Sequence, residues 1–149
     1  MIRRIAAEWH SLLDHPHVQD RPLANVWSTL EYGCHVRDVF VIFDQRLELM
    51  LTEDNPKFVN WDQDRTAVES NYGAQDPLKV GDELTTAATR LAARFDQVFG
   101  DEWLRRGTRS DGAQFSVGSF ATYLLHDPIH HLWDVSGHDS TAQAWVETS

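Results

Sequence analysis

One run, Ser28 to Leu51, limits the fold more than any other part of the chain. It opens with Ser28 and Glu31 in S-x-x-E spacing, a capping box in which each side chain satisfies a free backbone N–H of the first helical turn. Trp27 and Tyr32 sit at the flanking positions of a hydrophobic staple. Val36, Val39, Phe40, Phe43, Leu47 and Met50 then recur in three- and four-residue steps, the stripe of an amphipathic helix. A helix this long must have that stripe covered, and the rest of the chain offers other helices to cover it.

A first helix is predicted from about Ile2 to Asp14, with Ile2, Ile5, Trp9 and Leu12 on one face. The segment Asp14–Pro22 is a loop holding His15 and His17. A third long helix is predicted from about Asp76 to Phe99, with Pro77 in its first turn and the stripe Val80, Leu84, Ala87, Leu91, Phe95 and Val98. Gly100 ends it. The fourth runs from about Ser116 to Val135. Between the second and third lies a long polar connection, Thr52–Gln75, with a short helix in DRTAVES. Arg105–Gln114 reads as a turn between two short strands, with Asp111-Gly112 at its tip. The tail beyond Val135 is polar apart from Trp145, holds His138 and is expected to be mobile. The expectation is one all-α domain, residues 1–149, built as a four-helix bundle.

Composition narrows the function. The formal net charge of −10 argues against nucleic-acid binding, which needs a basic face. No apolar run reaches membrane-span length, and the arginines near the N-terminus are not followed by a signal-peptide core. A cytoplasmic protein with a small-molecule partner is the expectation. The single cysteine, Cys34, excludes an internal disulfide and reads as a small buried side chain that, with Gly33, lets another helix approach.

The chemistry-bearing stretch is SFATYLLHDPIHHLWDV, Ser119–Val135. His126 and His130 stand four residues apart, one turn along the same helical face. Two imidazoles there can take part in a metal site, and a third ligand is needed to complete it. His35, on the flank of the second helix's stripe, is the candidate third. His131 points instead with Phe120 and Leu124, so either His131 or the His126/His130 pair faces the interior. Pro128 removes one helical hydrogen bond in this stretch.

Two motifs, WSTLEYGCHVRD at Trp27–Asp38 and LLHDPIHHLWDV at Leu124–Val135, together with the helical order, resemble the DinB-like superfamily of metalloenzymes. That group includes thiol-dependent S-transferases and mycothiol-dependent maleylpyruvate isomerases. The resemblance implies a three-residue metal site made from one histidine early in the second helix and an HxxxH pair in the last. Carried over, these are His35, His126 and His130, with His131 outside the pattern. Isomerase-type members often carry a glutamate in place of one histidine and an additional C-terminal domain, so the chain is closer to the stand-alone members.

Histidine ligands favour zinc or nickel among divalent metals, with copper and iron(II) also suited. Glu31, Asp38 and Asp134 are spaced to orient ligand rings, and Tyr32, Trp61, Tyr123 and Trp133 are candidate pocket walls. The reading from sequence is a metal-dependent enzyme that activates a low-molecular-weight thiol for S-transfer or isomerisation. Arginine far outnumbers lysine, which fits an actinobacterial genome, where mycothiol is the expected thiol. The alternatives are a metal-dependent hydrolase and a non-enzymatic homodimeric bundle with a structural metal.

His35 lies near the start of its helix and His130 near the end of its own, so they share a level only if those helices run antiparallel. A simple alternating bundle makes them parallel. The expected topology is therefore up-down-down-up, with Thr52–Gln75 as the crossover. A bundle of twenty-residue helices is about 30 Å long, which roughly ten extended residues span.

Overall fold

The computed structural model describes residues 1–136; the tail with His138 and Trp145 lies outside them. Among the described residues there are five α-helices: α1 Ile2–Leu13, α2 Thr29–Thr52, α3 Gln63–Glu69, α4 Pro77–Asp96 and α5 Val117–Ser136. A two-stranded antiparallel hairpin, β1 Arg106–Thr108 and β2 Gln114–Ser116, precedes α5. The second, third and fourth helices read from the sequence are α2, α4 and α5, and the short helix of the connection is α3.

The capping box of α2 forms as predicted. Ser28 Oγ accepts from the Glu31 N–H, and Glu31 Oε1 accepts from the Ser28 N–H, both at 3.1 Å. Glu31 also takes a bidentate pair of hydrogen bonds from Arg21, at 2.8 and 2.6 Å. The bonds from Arg21 outweigh the cost of burial and lower the Glu31 pKa. Ser28→Ala should cost about 1 kcal/mol, read as a lower urea midpoint with an unchanged slope; an unchanged midpoint would mean that neighbouring groups replace the cap.

Cross-helix contacts give the direction of each long helix. Arg3 pairs with Asp96 and His10 with Asp82, so α1 and α4 are antiparallel. Arg37 pairs with Glu83 and Asp44 with Arg94, so α2 and α4 are parallel. Phe43 stacks on Phe120 while Tyr32 meets His131, so α2 and α5 are antiparallel. The bundle is up-down-down-up, as expected, and the connection between parallel α2 and α4 runs back along its length. Its passage puts Trp61 against α2 and tucks Tyr72 into the interior, where the Tyr72 hydroxyl bonds Asp38.

The core is the shared interior of the four long helices. Ile5 and Trp9 of α1, Phe40 and Leu47 of α2, Leu84 and Leu91 of α4, and Phe120 and Leu124 of α5 are buried in one cluster. Gly33 is needed for close approach: a Cβ there would lie 2.9 Å from Leu13 Cδ2. Cys34 beside it is fully buried, and burial pushes its thiol up to about 12. No described helix is long and apolar enough to cross a membrane.

Candidate metal centre

His35 is fully buried on α2. Its Nε2 lies 2.9 Å from Asp127 Oδ2 on α5. The other oxygen of that carboxylate, Oδ1, lies 3.3 Å from His131 Nε2. Two imidazoles from antiparallel helices thus converge on one carboxylate. Asp127 and His131 are four residues apart, so they lie one turn apart on the same face of α5.

This is a different set from the one expected. His126 and His130 do form a close pair, with ring centroids 5.0 Å apart, but both are exposed. The motif HDPIHH contains two i,i+4 pairs offset by one residue, and one residue is about 100° of helix. That offset turns His126 and His130 away from His35 and brings Asp127 and His131 toward it. His131, placed outside the site from sequence, belongs to the cluster.

The surrounding groups divide in the same way. Asp134 Oδ2 is 3.3 Å from His131 Nδ1 and orients that ring. Glu31 is committed to the α2 cap and Arg21, and Asp38 to Arg37 and Tyr72; neither orients a ring. Trp61 stacks on His35, its ring 5.4 Å away and 5° from parallel, while Trp61 Nε1 donates to Thr66. Tyr32 lies against His131, with centroids 4.8 Å apart. Tyr123 is beside Phe43 and Phe115 and lines the neighbouring cavity. Trp133, two residues past His131 and about 200° round the helix, points away from it. Trp27, not singled out from sequence as a wall, is 5.7 Å from the His35 ring.

The donor set fits a divalent cation. One ligand atom from each of His35, Asp127 and His131 can be chosen so that all lie within 4.8 Å of one another. Tetrahedral bonds of about 2.0–2.1 Å put ligand atoms roughly 3.3 Å apart, so closing on an ion needs only a small shift. His35 Nδ1 is buried without a hydrogen-bond partner, an arrangement that costs stability in a merely packed histidine. An open cavity of about 310 Å³ adjoins the cluster, with Asp127 and Trp61 in its wall.

Burial alone would raise the Asp127 carboxyl, but hydrogen bonds from His131 and His35 outweigh it and hold the group well below the usual carboxylate range. Burial alone would lower His131, yet Asp127 and Asp134 reverse this and raise it. A raised value favours the protonated ring up to a higher pH, and metal binding needs the deprotonated ring. Zinc affinity is therefore expected to increase with pH as His131 loses its proton. Competition against a chelating dye at several pH values measures this, and a flat profile would exclude His131 as a ligand.

The sequence model of the DinB superfamily matches residues 3–135. The chain belongs to the DinB superfamily. Among solved structures, this DinB chain is similar to YfiT from Bacillus subtilis, described as a probable metal-dependent hydrolase with an unusual four-helix bundle topology. The TM-score is 0.79 at 17% identity, covering 91% of this chain and 79% of that one. It is also similar to a mycothiol-dependent maleylpyruvate isomerase, with a TM-score of 0.72 at 14% identity. That match covers 90% of this chain but 57% of the isomerase, so the chain spans little more than half of that protein. At these identities the likeness is one of fold. No curated protein sequence matches the chain.

Proposed function

We propose that this DinB chain is a metal-dependent enzyme in which His35, Asp127 and His131 hold the ion and the adjoining cavity takes a small electrophilic substrate. The supporting observation is the convergence of a fully buried histidine on a carboxylate shared with a second histidine, beside an open cavity. Two histidines and one carboxylate suit zinc or iron(II), and nickel remains a candidate. When bound, such an ion supplies Lewis acidity, easing proton loss from an oxygen or sulfur nucleophile near neutral pH.

The chain supplies the rest. Asp134 fixes the His131 ring, while Trp61 packs on His35 and Tyr32 on His131, leaving Asp127 open toward the cavity. His126, exposed on the cavity wall, is placed to give or take a proton from a substrate there. The nucleophile in this reading is a low-molecular-weight thiol of the mycothiol kind, which fits a reducing cytoplasm. Cys34 is unsuited to that role, being buried with its thiol pushed up to about 12. A second reading, hydrolysis, is favoured by the likeness to YfiT.

The experiment is thiol consumption by the zinc-loaded protein with an aryl halide, run beside hydrolysis of a nitrophenyl ester, each with and without chelator. Chelator-sensitive thiol consumption is expected. Ester hydrolysis without thiol consumption would select the second reading. A protein that does neither, yet melts much lower after chelation, would be a helical module with a structural metal, and the enzyme reading would be dropped.

A further inference from the structure

We propose that the cavity beside the His35–Asp127–His131 cluster binds a small organic carboxylate, with Arg46 as the recognising group. This names the substrate class for the enzyme reading above and rests on it only for where the reacting end lies. The volume, about 310 Å³, is at the small end of ligand pockets. Its wall holds two guanidinium groups, Arg46 and Arg109, and a single carboxylate, Asp127, which is engaged by His35 and His131.

The two arginines differ. Arg109 is held by Asp111 and donates to the Tyr123 hydroxyl. Arg46 forms no ion pair among the described residues. Its guanidinium carbon lies 5.2 Å from the Phe58 ring centroid and 5.8 Å from that of Phe43, and its Nη2 donates to the Val59 carbonyl at 3.1 Å. A guanidinium has five N–H donors in a rigid fork that matches a carboxylate, so Arg46 keeps donors available beyond the one given to Val59. Burial pushes its pKa down, and the neighbouring Arg109 adds to that. Of the other partly buried arginines, Arg37 and Arg94 each pair with a carboxylate of this chain, and Arg105 spends its guanidinium on the Met50 and Glu53 carbonyls. In a chain of net charge −10, Arg46 has no carboxylate partner among the described residues, gives one bond to a single carbonyl and faces a cavity.

Position sets the ligand's form. Arg46 follows His35 by three helical turns and so shares its face of α2. The Cα atoms are therefore about 16 Å apart along the helix, a gap that the arginine side chain only partly closes. The ligand's carboxylate and its reacting carbon are thus separated by several bonds, which excludes the shortest acids.

The test uses phenylbutyrate and its uncharged amide as probes, with binding followed by calorimetry on zinc-loaded and on chelated protein. The acid should bind about tenfold more tightly than the amide. Arg46→Met should remove that preference, Arg46→Lys should restore only part of it, and chelation should leave it in place. The proposal fails if acid and amide bind alike or not at all, if Arg46→Met keeps the preference, or if chelation abolishes it. The acid–amide comparison on the unaltered protein stands even if the variants fold poorly. Zinc content measured on the same samples separates the two ideas: a protein that holds no zinc but still prefers the acid keeps this site and loses the metal reading.

Discussion

Asp127→Ala, His35→Ala and His131→Ala are each expected to lower zinc affinity by more than about 100-fold, beyond the roughly 10–100-fold typical of outer partners. His126→Ala and His130→Ala should leave it within about twofold, since their rings lie on the exposed face of α5. Asp127 should be the most damaging site, because both His35 and His131 address its carboxylate. Without it the two rings lose the group that aligns them. Elemental analysis after dialysis, followed by chelator competition, gives the ranking. Metal lost from His126→Ala and retained in His131→Ala would restore the ligand set first read from the sequence and remove the one drawn from the structure. Asp134→Asn should fall between the two groups, since it loosens one ring without removing a donor.

The second large effect is on stability. Phe120 is buried in the core, stacks on Phe43 at 4.6 Å and lies near Phe58 and Phe115. It ties α5 both to α2 and to the segments on either side of the cavity. Phe120→Ala should cost about 3–5 kcal/mol through lost transfer energy and the void left behind. For a chain of this size that is on the order of 10 °C in melting temperature. Guanidinium unfolding with an unchanged slope would measure it. A loss below about 1 kcal/mol would show that Phe43, Phe58 and Phe115 collapse into the space.

Much of the fold was legible because local signals and pattern agreed. The Ser28–Glu31 cap, the stripe of α2 and the proline at the start of α4 each stated their element, and the structure shows all three. The crossover was legible for another reason: bringing a histidine near the start of α2 to the end of α5 demands antiparallel helices, and chain connectivity supplies the rest. The ligand set was harder. Phe120, Leu124, Asp127 and His131 follow a four-three-four spacing that marks the inward face of α5. An expectation of two histidines drew attention to His126 and His130 instead. Asp127 carried no signal as a histidine substitute, because carboxylates are mostly exposed and only the fold shows what it faces. Glu31 and Asp38 were spaced to support a ligand, but nearby arginines claim them. Spacing along a helix cannot reveal partners brought in from a loop or from another helix.

The parallel run of α2 and α4 carries a consequence for how such a protein changes over time. A connection that must travel the length of the bundle passes over the cluster, and it is this segment that lays Trp61 on His35. The three clustered side chains come from two helices locked into the core, while the cover comes from a connection with its own sequence freedom. Insertions or substitutions near Trp61 can therefore reshape the approach to the cluster without disturbing the His35–Asp127–His131 arrangement. Descendants of one such chain can diverge in what surrounds the cluster while inheriting the same inner arrangement.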